Sequence, residues 1–276
     1  MDEPVLLTGA GGRVGQAILD GIGDDYDWRL LDREPIPAAK VPDRVTDADQ
    51  YVADITDERA VRDAMAGVGA VIHLAGDPRK TAPWESVLRN NIDGTQVVMQ
   101  VAAEAGVDRF AFASSNHAVG GYETDDRLPD LYRTDDEYRL DEAEVPRPGN
   151  LYGVSKATGE FLGRYYHDES GLSVVCVRIG NLTKSHPPRE YERGQAMWLS
   201  HRDCAHLFDR TLQADYDFEI VYGISNNDRK YYSIDRAREA LGYDPRDNSA
   251  EYTFTGDPIE ETDHSATETN PPVDEP

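Results

Sequence analysis

The 276-residue sequence predicts an α/β chain built on a doubly wound parallel sheet, with a small separate portion towards its C-terminus. Three observations predict it. A glycine-rich turn joins the first short apolar run to an amphipathic helical segment. Short apolar runs then alternate with helical stretches along most of the chain. Finally, Tyr152 precedes Lys156 by one helical turn, downstream of a strand end rich in hydroxyl and amide side chains.

The first strand, Val5-Leu6-Leu7, runs into Thr8-Gly9-Ala10-Gly11-Gly12-Arg13-Val14-Gly15, and a helix continues to about Gly23. Gly9 allows a tight turn, Gly12 a close backbone approach to a pyrophosphate, and Gly15 close helix–strand packing. The helix N-terminus, from Arg13 and Val14 onward, offers N–H groups and a positive dipole to phosphates. The second strand, Trp28 to Leu31, ends at Asp32. An acid there accepts hydrogen bonds from ribose hydroxyls and repels a 2'-phosphate, which predicts NAD over NADP. Arg33, next in the chain, opposes that preference.

Residues 35–48, with Pro35, Pro37 and Pro42, read as a loop. Tyr51 to Ala53 is a short strand whose end places Asp54 and Ile55 at the nucleotide base. A helix is expected over 57–66. The fourth strand and its exit, Ala70 to Gly76, carry Leu74, Ala75 and Gly76, which let the backbone approach a nucleotide. His73, inside this apolar strand, reads as a satisfied core histidine. One long helix is expected over 84–105, containing Asn90, Asn91 and Gly94. The fifth strand, Phe110 to Ala113, ends in Ser114-Ser115-Asn116-His117, at the sheet edge where open α/β sheets bind ligands.

The Tyr152/Lys156 pair is the chemical centre of this arrangement. An ammonium beside a phenol favours the phenolate, making Tyr152 a candidate proton acceptor. Ser115 is then the candidate that hydrogen-bonds the reacting oxygen. Asn91 is the candidate that completes a proton relay through a water next to Lys156.

Composition narrows the setting. The formal charge is -25, from 53 acidic against 28 basic residues, and lysine occurs only at positions 40, 80, 156, 184 and 230. A lysine-poor acidic surface suits very high salt, where self-repulsion is screened. It offers no broad basic face to nucleic acid. Cys176 and Cys204 are too few for a disulfide framework, and Cys176 lies in an apolar run. With no leader and no long apolar run, the chain reads as soluble, cytoplasmic and without a membrane partner.

The sixth strand, Ser173 to Val177, leads to Arg178 and then to a loop broken by Pro187-Pro188. Between Arg178 and Arg193 stand Arg178, Lys184, Arg189 and Arg193, against only Glu190 and Glu192. Basic residues kept in an irregular loop of so acidic a chain suggest a small anionic ligand. Arg79 and Lys80 are further cations for the same anion. A helix over 200–214, a strand over 218–222 and a helix over 233–241 complete the expected core. Residues 1–258 read as one domain, with its substrate portion mainly at 178–245, and 259–276 as an acidic, disordered tail.

These elements together resemble the extended short-chain dehydrogenase/reductase family, whose members share a Rossmann-type fold. The resemblance rests on T-G-A-G-G-R-V-G, Asp32, H-L-A-G, Asn91-Ile92-Asp93-Gly94-Thr95, Ser114-Ser115 and Y-G-V-S-K, and extends to about residue 245. The runs S-S-N-H-A-V-G-G-Y and V-R-I-G-N are most similar to its sugar-oxidising branch, which includes NAD-dependent uronate dehydrogenases and glucose-6-phosphate dehydrogenases of extreme halophiles. The runs from Arg193 to Ser200 and from Asn227 to Tyr232 are closer to the latter.

The resemblance implies oxidation of a sugar at its anomeric carbon with NAD, with glucose 6-phosphate as first substrate and a hexuronate as the alternative. It implies Asn116 and His117 as sugar ligands, places Arg193 where an arginine grips a sugar carboxylate, and suggests a homodimer or homotetramer. A nucleotide-sugar epimerase or dehydratase would share the same catalytic residues. A non-catalytic NAD-binding regulator is disfavoured because both Tyr152 and Lys156 are present. Ser115 and Tyr152 lie 37 residues apart, longer than expected for a uronate dehydrogenase. The acidic segment 121–149 accounts for the difference and reads as a solvated loop or a border of the sugar site.

Overall fold

The structure is a computed structural model that describes residues 3–123, 139–184, 186–188 and 192–252. In chain order the strands are β1 (Val5–Thr8), β2 (Trp28–Asp32), β3 (Gln50–Val52), β4 (Ala70–His73), β5 (Arg109–Ser115), β6 (Ser173–Ile179), the short β7 (Asn181–Leu182) and β8 (Trp198–Leu199), and β9 (Phe218–Gly223). The helices are α1 (Arg13–Ile22), α2 (Glu58–Met65), α3 (Trp84–Ser86), α4 (Gly94–Ala105), α5 (Leu151–Ser170), α6 (Glu192–Ala196), α7 (His201–Gln213) and α8 (Asp235–Leu241).

Seven strands form one parallel sheet in the order β3-β2-β1-β4-β5-β6-β9. The order reverses between β1 and β4, which opens a crevice at their carboxyl ends. The expected doubly wound architecture is present. Its inner strands are buried on both faces, which is why β6 carries the apolar run Val174-Val175-Cys176-Val177. One face packs Ile18, Leu30, Leu207 and Phe208 under α1 and α7; the other packs Val61, Met99, Phe110 and Phe112 under α2, α4 and α5. A third cluster, including Val119, Leu140, Met197 and Tyr232, gathers beyond the strand ends.

His73 is fully buried, with Nδ1 2.7 Å from Thr8 Oγ1 and Nε2 3.1 Å from Thr95 Oγ1, as a core histidine should be. Burial, helped by the Lys156 charge, pulls its pKa down to about 3, so it stays neutral. Cys176 and Cys204 are buried free thiols.

Two local expectations change. The long helix over 84–105 is interrupted by a π-helical stretch, Val87–Asp93, between α3 and α4. Such a widened turn re-aims side chains, and here Asn91 within it is buried. The proline-containing loop after β6 is not wholly irregular: β7 pairs with β8, and α6 carries Arg193 back towards the sheet. The tail 259–276 and part of the acidic segment, 124–138, lie outside the described residues. Among the described residues no helix is long and apolar enough to cross a membrane.

Candidate active site

The crevice begins at the glycine turn. Gly9 has φ +71°, and a Cβ there would stand 2.8 Å from Ala75 N, so the exit of β4 lies directly against the turn. A Cβ at Gly15 would stand 2.6 Å from Ala10 O, which seats α1 on the turn. Gly12 is the N-cap of α1 and brings no side chain, leaving the first-turn N–H groups to an outside acceptor. Arg13 reaches across the crevice to the Leu182 carbonyl at 2.9 Å. Asp32 accepts from Gly11 N at 2.9 Å through Oδ2, placing its carboxylate on the rim of the turn. A backbone cradle with an acid at the end of β2 fits a dinucleotide with ribose hydroxyls at that position.

Asp54 is more committed than its position suggests. Burial pushes its pKa up, but hydrogen bonds from Thr56 and the charges of Arg89 and Arg33 outweigh that and hold it low. Ile55 is buried, and a Cβ on Gly94 would come within 2.5 Å of its Cδ1. Leu74 and Ala75 donate to Thr8 O at 3.1 Å and Thr8 Oγ1 at 3.3 Å, and Gly76 exposes its backbone beside them.

Across the crevice, α5 starts at Asn150, whose Oδ1 caps Gly153 N at 2.8 Å. This start presents Tyr152 to Ser115, whose hydroxyl is close enough to favour the phenolate. Lys156, one turn on, donates from Nζ to Ala113 O at 2.8 Å and lies 5.5 Å from the Tyr152 ring centre. Ser115 Oγ also accepts from His117 N at 3.2 Å. The structure therefore brings Ser115, Tyr152 and Lys156 together at the carboxyl edge of the sheet.

The expected lowering of the Tyr152 phenol by Lys156 does not appear in the chain alone. Burial pushes the Tyr152 phenol up to about 12, against the Ser115 hydroxyl that lowers it and with Asp77 raising it further. Burial likewise pulls Lys156 down to about 8. The ammonium is held by the Ala113 carbonyl rather than by the phenol, so desolvation wins over attraction. The chain's own groups do not supply the neutral-range phenolate expected from the Tyr–Lys spacing.

Asn91 uses both ends of its amide. Its Oδ1 accepts from Asp77 N at 2.6 Å, and its Nδ2 donates to Asp77 O at 3.0 Å and to Ser155 Oγ at 3.1 Å. The side chain clamps the β4 exit to α5. Arg79 is also committed: it pairs with the buried Asp77 through Nε at 2.9 Å and Nη2 at 2.6 Å. The pairing anchors Arg79 beside the exit of β4, with about half of its side chain still exposed.

Asn116 is buried, with Nδ2 3.6 Å from Met197 Sδ. His117 stacks edge-on to Tyr152, 5.8 Å between ring centres, and its Nδ1 meets Asn150 Nδ2 at 3.2 Å. Burial, then the charges of Arg193 and Lys80, pulls its pKa down to about 4, while Glu123 acts the other way. Arg193 is therefore near enough for its charge to act on His117. Lys184 is exposed and no described contact joins it to this cluster; Arg189 lies outside the described residues.

Arg178 is not an anion ligand. It is fully buried and pairs with Glu160 through Nε and Nη2, both at 2.9 Å, while Ser114 donates to Glu160 at 2.6 Å. Sequence reasoning missed Glu123, Tyr231 and Tyr232 as site neighbours. Arg193 pairs with Glu123, which also accepts from Tyr231 OH at 3.0 Å and from Tyr232 OH. Only the Tyr231-Tyr232 doublet left a trace in the sequence; Glu123 was one acid among many.

A concavity of about 1360 Å³ lies elsewhere, between α1 and α7, and none of the nominated residues lines it. Its walls carry mixed charge, including Asp20, Arg109, His201 and Asp209. The crevice at the strand ends holds the convergent chemistry and is the better site.

Known proteins agree with this geometry. Residues 5–214 match the NAD dependent epimerase/dehydratase family. The chain is 72% identical over 261 residues to an NAD-dependent glucose-6-phosphate dehydrogenase of Haloferax volcanii, covering 95% of this chain and 100% of that one. It is 35% identical to a uronate dehydrogenase of Pseudomonas putida, covering 89% and 84% of the two chains. The crystal structure of a uronate dehydrogenase from Agrobacterium tumefaciens superposes with a TM-score of 0.76 at 30% identity, covering 93% and 91% of the two chains. With its glycine turn, sheet order and Tyr–Lys helix in place, the chain belongs to the NAD dependent epimerase/dehydratase family.

Proposed function

We propose that this chain oxidises glucose 6-phosphate at C1, giving 6-phosphoglucono-lactone, with NAD as cofactor. The observation that carries the reading is the meeting of Ser115, Tyr152 and Lys156 at the crevice, beside the glycine turn. The substrate rests on the 72% identity to the Haloferax volcanii enzyme, which spans that protein's full length. The glycine turn, the first turn of α1 and Asp32 hold the dinucleotide. NAD, when bound, accepts the hydride from C1 and brings a positive charge.

The chain's residues handle the proton and the oxygen. Ser115 holds the C1 hydroxyl towards the Tyr152 oxygen. Tyr152 takes the hydroxyl proton while the C1–O bond becomes a carbonyl. Lys156, at its ring, steadies the phenolate by charge, which matters because burial alone disfavours that anion. Asn116 and His117 meet the sugar hydroxyls, and Arg193 with Lys80 faces the anionic end. Exposed Phe161 and Tyr165, one turn apart on α5, support a homodimer or homotetramer.

The test is NADH formation in molar KCl with glucose 6-phosphate, glucose and glucuronate compared. Glucose 6-phosphate far ahead is the expected result. Glucuronate ahead would transfer the reading to the uronate dehydrogenases. Tyr152→Phe should lower kcat by about 10³-fold with NAD binding retained. Tight NAD retention with no net NADH would instead indicate an epimerase or dehydratase.

A further inference from the structure

The anion end of the crevice contains an acid. Glu123 is nearly buried, its side chain 8% exposed, and sits at the end of a short turn that follows β5. Its Oε2 accepts from Arg193 Nε, and its Oε1 accepts from the hydroxyls of Tyr231 and Tyr232. Three donors on one carboxylate make a well-satisfied buried anion.

The donors are themselves fixed. Tyr231 and Tyr232 are buried and their rings lie 4.4 Å apart. Tyr232 stacks on Tyr222 at 4.6 Å, and the Tyr222 hydroxyl takes a hydrogen bond from Arg178 Nη1 at 3.1 Å. Arg178 is locked to Glu160 on α5, one turn beyond Lys156. Glu123 therefore stands on a stack anchored in the catalytic helix.

We infer that Glu123 is a specificity-determining residue: it occupies the carboxylate seat on the Nε edge of Arg193 and so excludes hexuronates. The inference rests on the proposed sugar oxidation. In a hexuronate the charged oxygens are bonded to C6 itself, whereas in glucose 6-phosphate they sit three bonds beyond C6. A uronate carboxylate at Arg193 has to compete with an intramolecular carboxylate already holding three donors. The same negative charge repels it directly. A phosphoryl group reaches past that seat and carries more charge and more acceptor oxygens. Glu123 thus turns an arginine suited to either anion into one that rejects the shorter.

The experiment measures kcat/KM for glucuronate and for glucose 6-phosphate in wild type, Glu123→Ala, Glu123→Gln and Tyr232→Phe, in molar KCl. Glucuronate-induced shifts in melting temperature are read on the same proteins, so a folded but inactive variant still reports binding. The expected result is a glucuronate to glucose 6-phosphate ratio at least about tenfold higher in Glu123→Ala, or about 1.4 kcal/mol. A smaller rise is expected in Tyr232→Phe, which removes one donor from the seat but keeps the acid. Glu123→Gln should raise the ratio because the repelling charge is gone. An unchanged or lower ratio, with no gain in the glucuronate-induced shift in any variant that melts cooperatively, overturns the inference. Wild type preferring glucuronate overturns the proposed substrate itself, a different failure that is read before any variant is made.

Discussion

Gly153 packs on the carbonyl of His117 so closely that a Cβ at this glycine would stand 2.2 Å from the oxygen. The contact seats the first turn of α5 on the turn after β5, and thereby sets Tyr152 against Ser115. Gly153→Ala has to push the two apart. We expect a loss of about 1–3 kcal/mol in stability from overpacking and a fall in kcat larger than any change in KM. Thermal melts and steady-state kinetics test this; a variant with wild-type kcat would show that the contact does not position Tyr152.

Lys156 gives stability a pH dependence whose sign is fixed. Its folded pKa is pulled from 10.5 to about 8 by burial. Between those values the unfolded chain holds a proton that the folded chain has lost, so stability rises with pH across the window and the cost is complete below about 8. Tyr152 acts oppositely higher up: raised from 10.0 to about 12, it makes stability fall as pH climbs through that range. Urea unfolding of wild type and Lys156→Met should therefore differ by an amount that changes by at most about 3 kcal/mol between the two ends of the lysine window. A difference constant with pH refutes the assignment.

Asp32 should set the cofactor preference. Its carboxylate, held by Gly11 N at 2.9 Å, sits where a 2'-phosphate would meet it. Asp32→Ser removes the repulsion and leaves Arg33 beside the site. The NADP to NAD ratio of kcat/KM should rise by at least about tenfold. A ratio unmoved by the substitution would place the discrimination elsewhere.

The net charge of -25 predicts dependence on salt. In molar KCl the Debye length is about 3 Å, against about 10 Å at one-tenth of that concentration. Dilution of salt unmasks carboxylate repulsion, and a cost of about 3 kcal/mol corresponds to a melting temperature lower by about 10 °C. Melting curves across a KCl series check this; a flat series would mean that the acids are compensated by local pairs.

The fold was legible because its signals are local. Apolar runs, the glycine turn and the Tyr152–Lys156 spacing each state a backbone geometry within a few residues. Ser115 was legible for the same reason, as a hydroxyl at the end of a strand. The π-helical stretch around Asn91 was not, because the groups that hold it, on Asp77 and Ser155, come from other parts of the chain.

Charge was the least legible property. Counted along the chain, Arg178, Lys184, Arg189 and Arg193 form a basic cluster. In space Arg178 belongs to Glu160 and Arg193 to Glu123, while upstream Arg79 belongs to Asp77. The sequence by itself determined the doubly wound sheet, the dinucleotide turn and the one-turn spacing of Tyr152 and Lys156, since period, glycine placement and helical spacing are properties of neighbouring residues. Only the tertiary structure decided which cations are paired, how far burial lifts the Tyr152 phenol, and that Glu123 stands against Arg193. Those depend on desolvation and on partners brought together from as far as 109 residues apart along the chain, as with Glu123 and Tyr232.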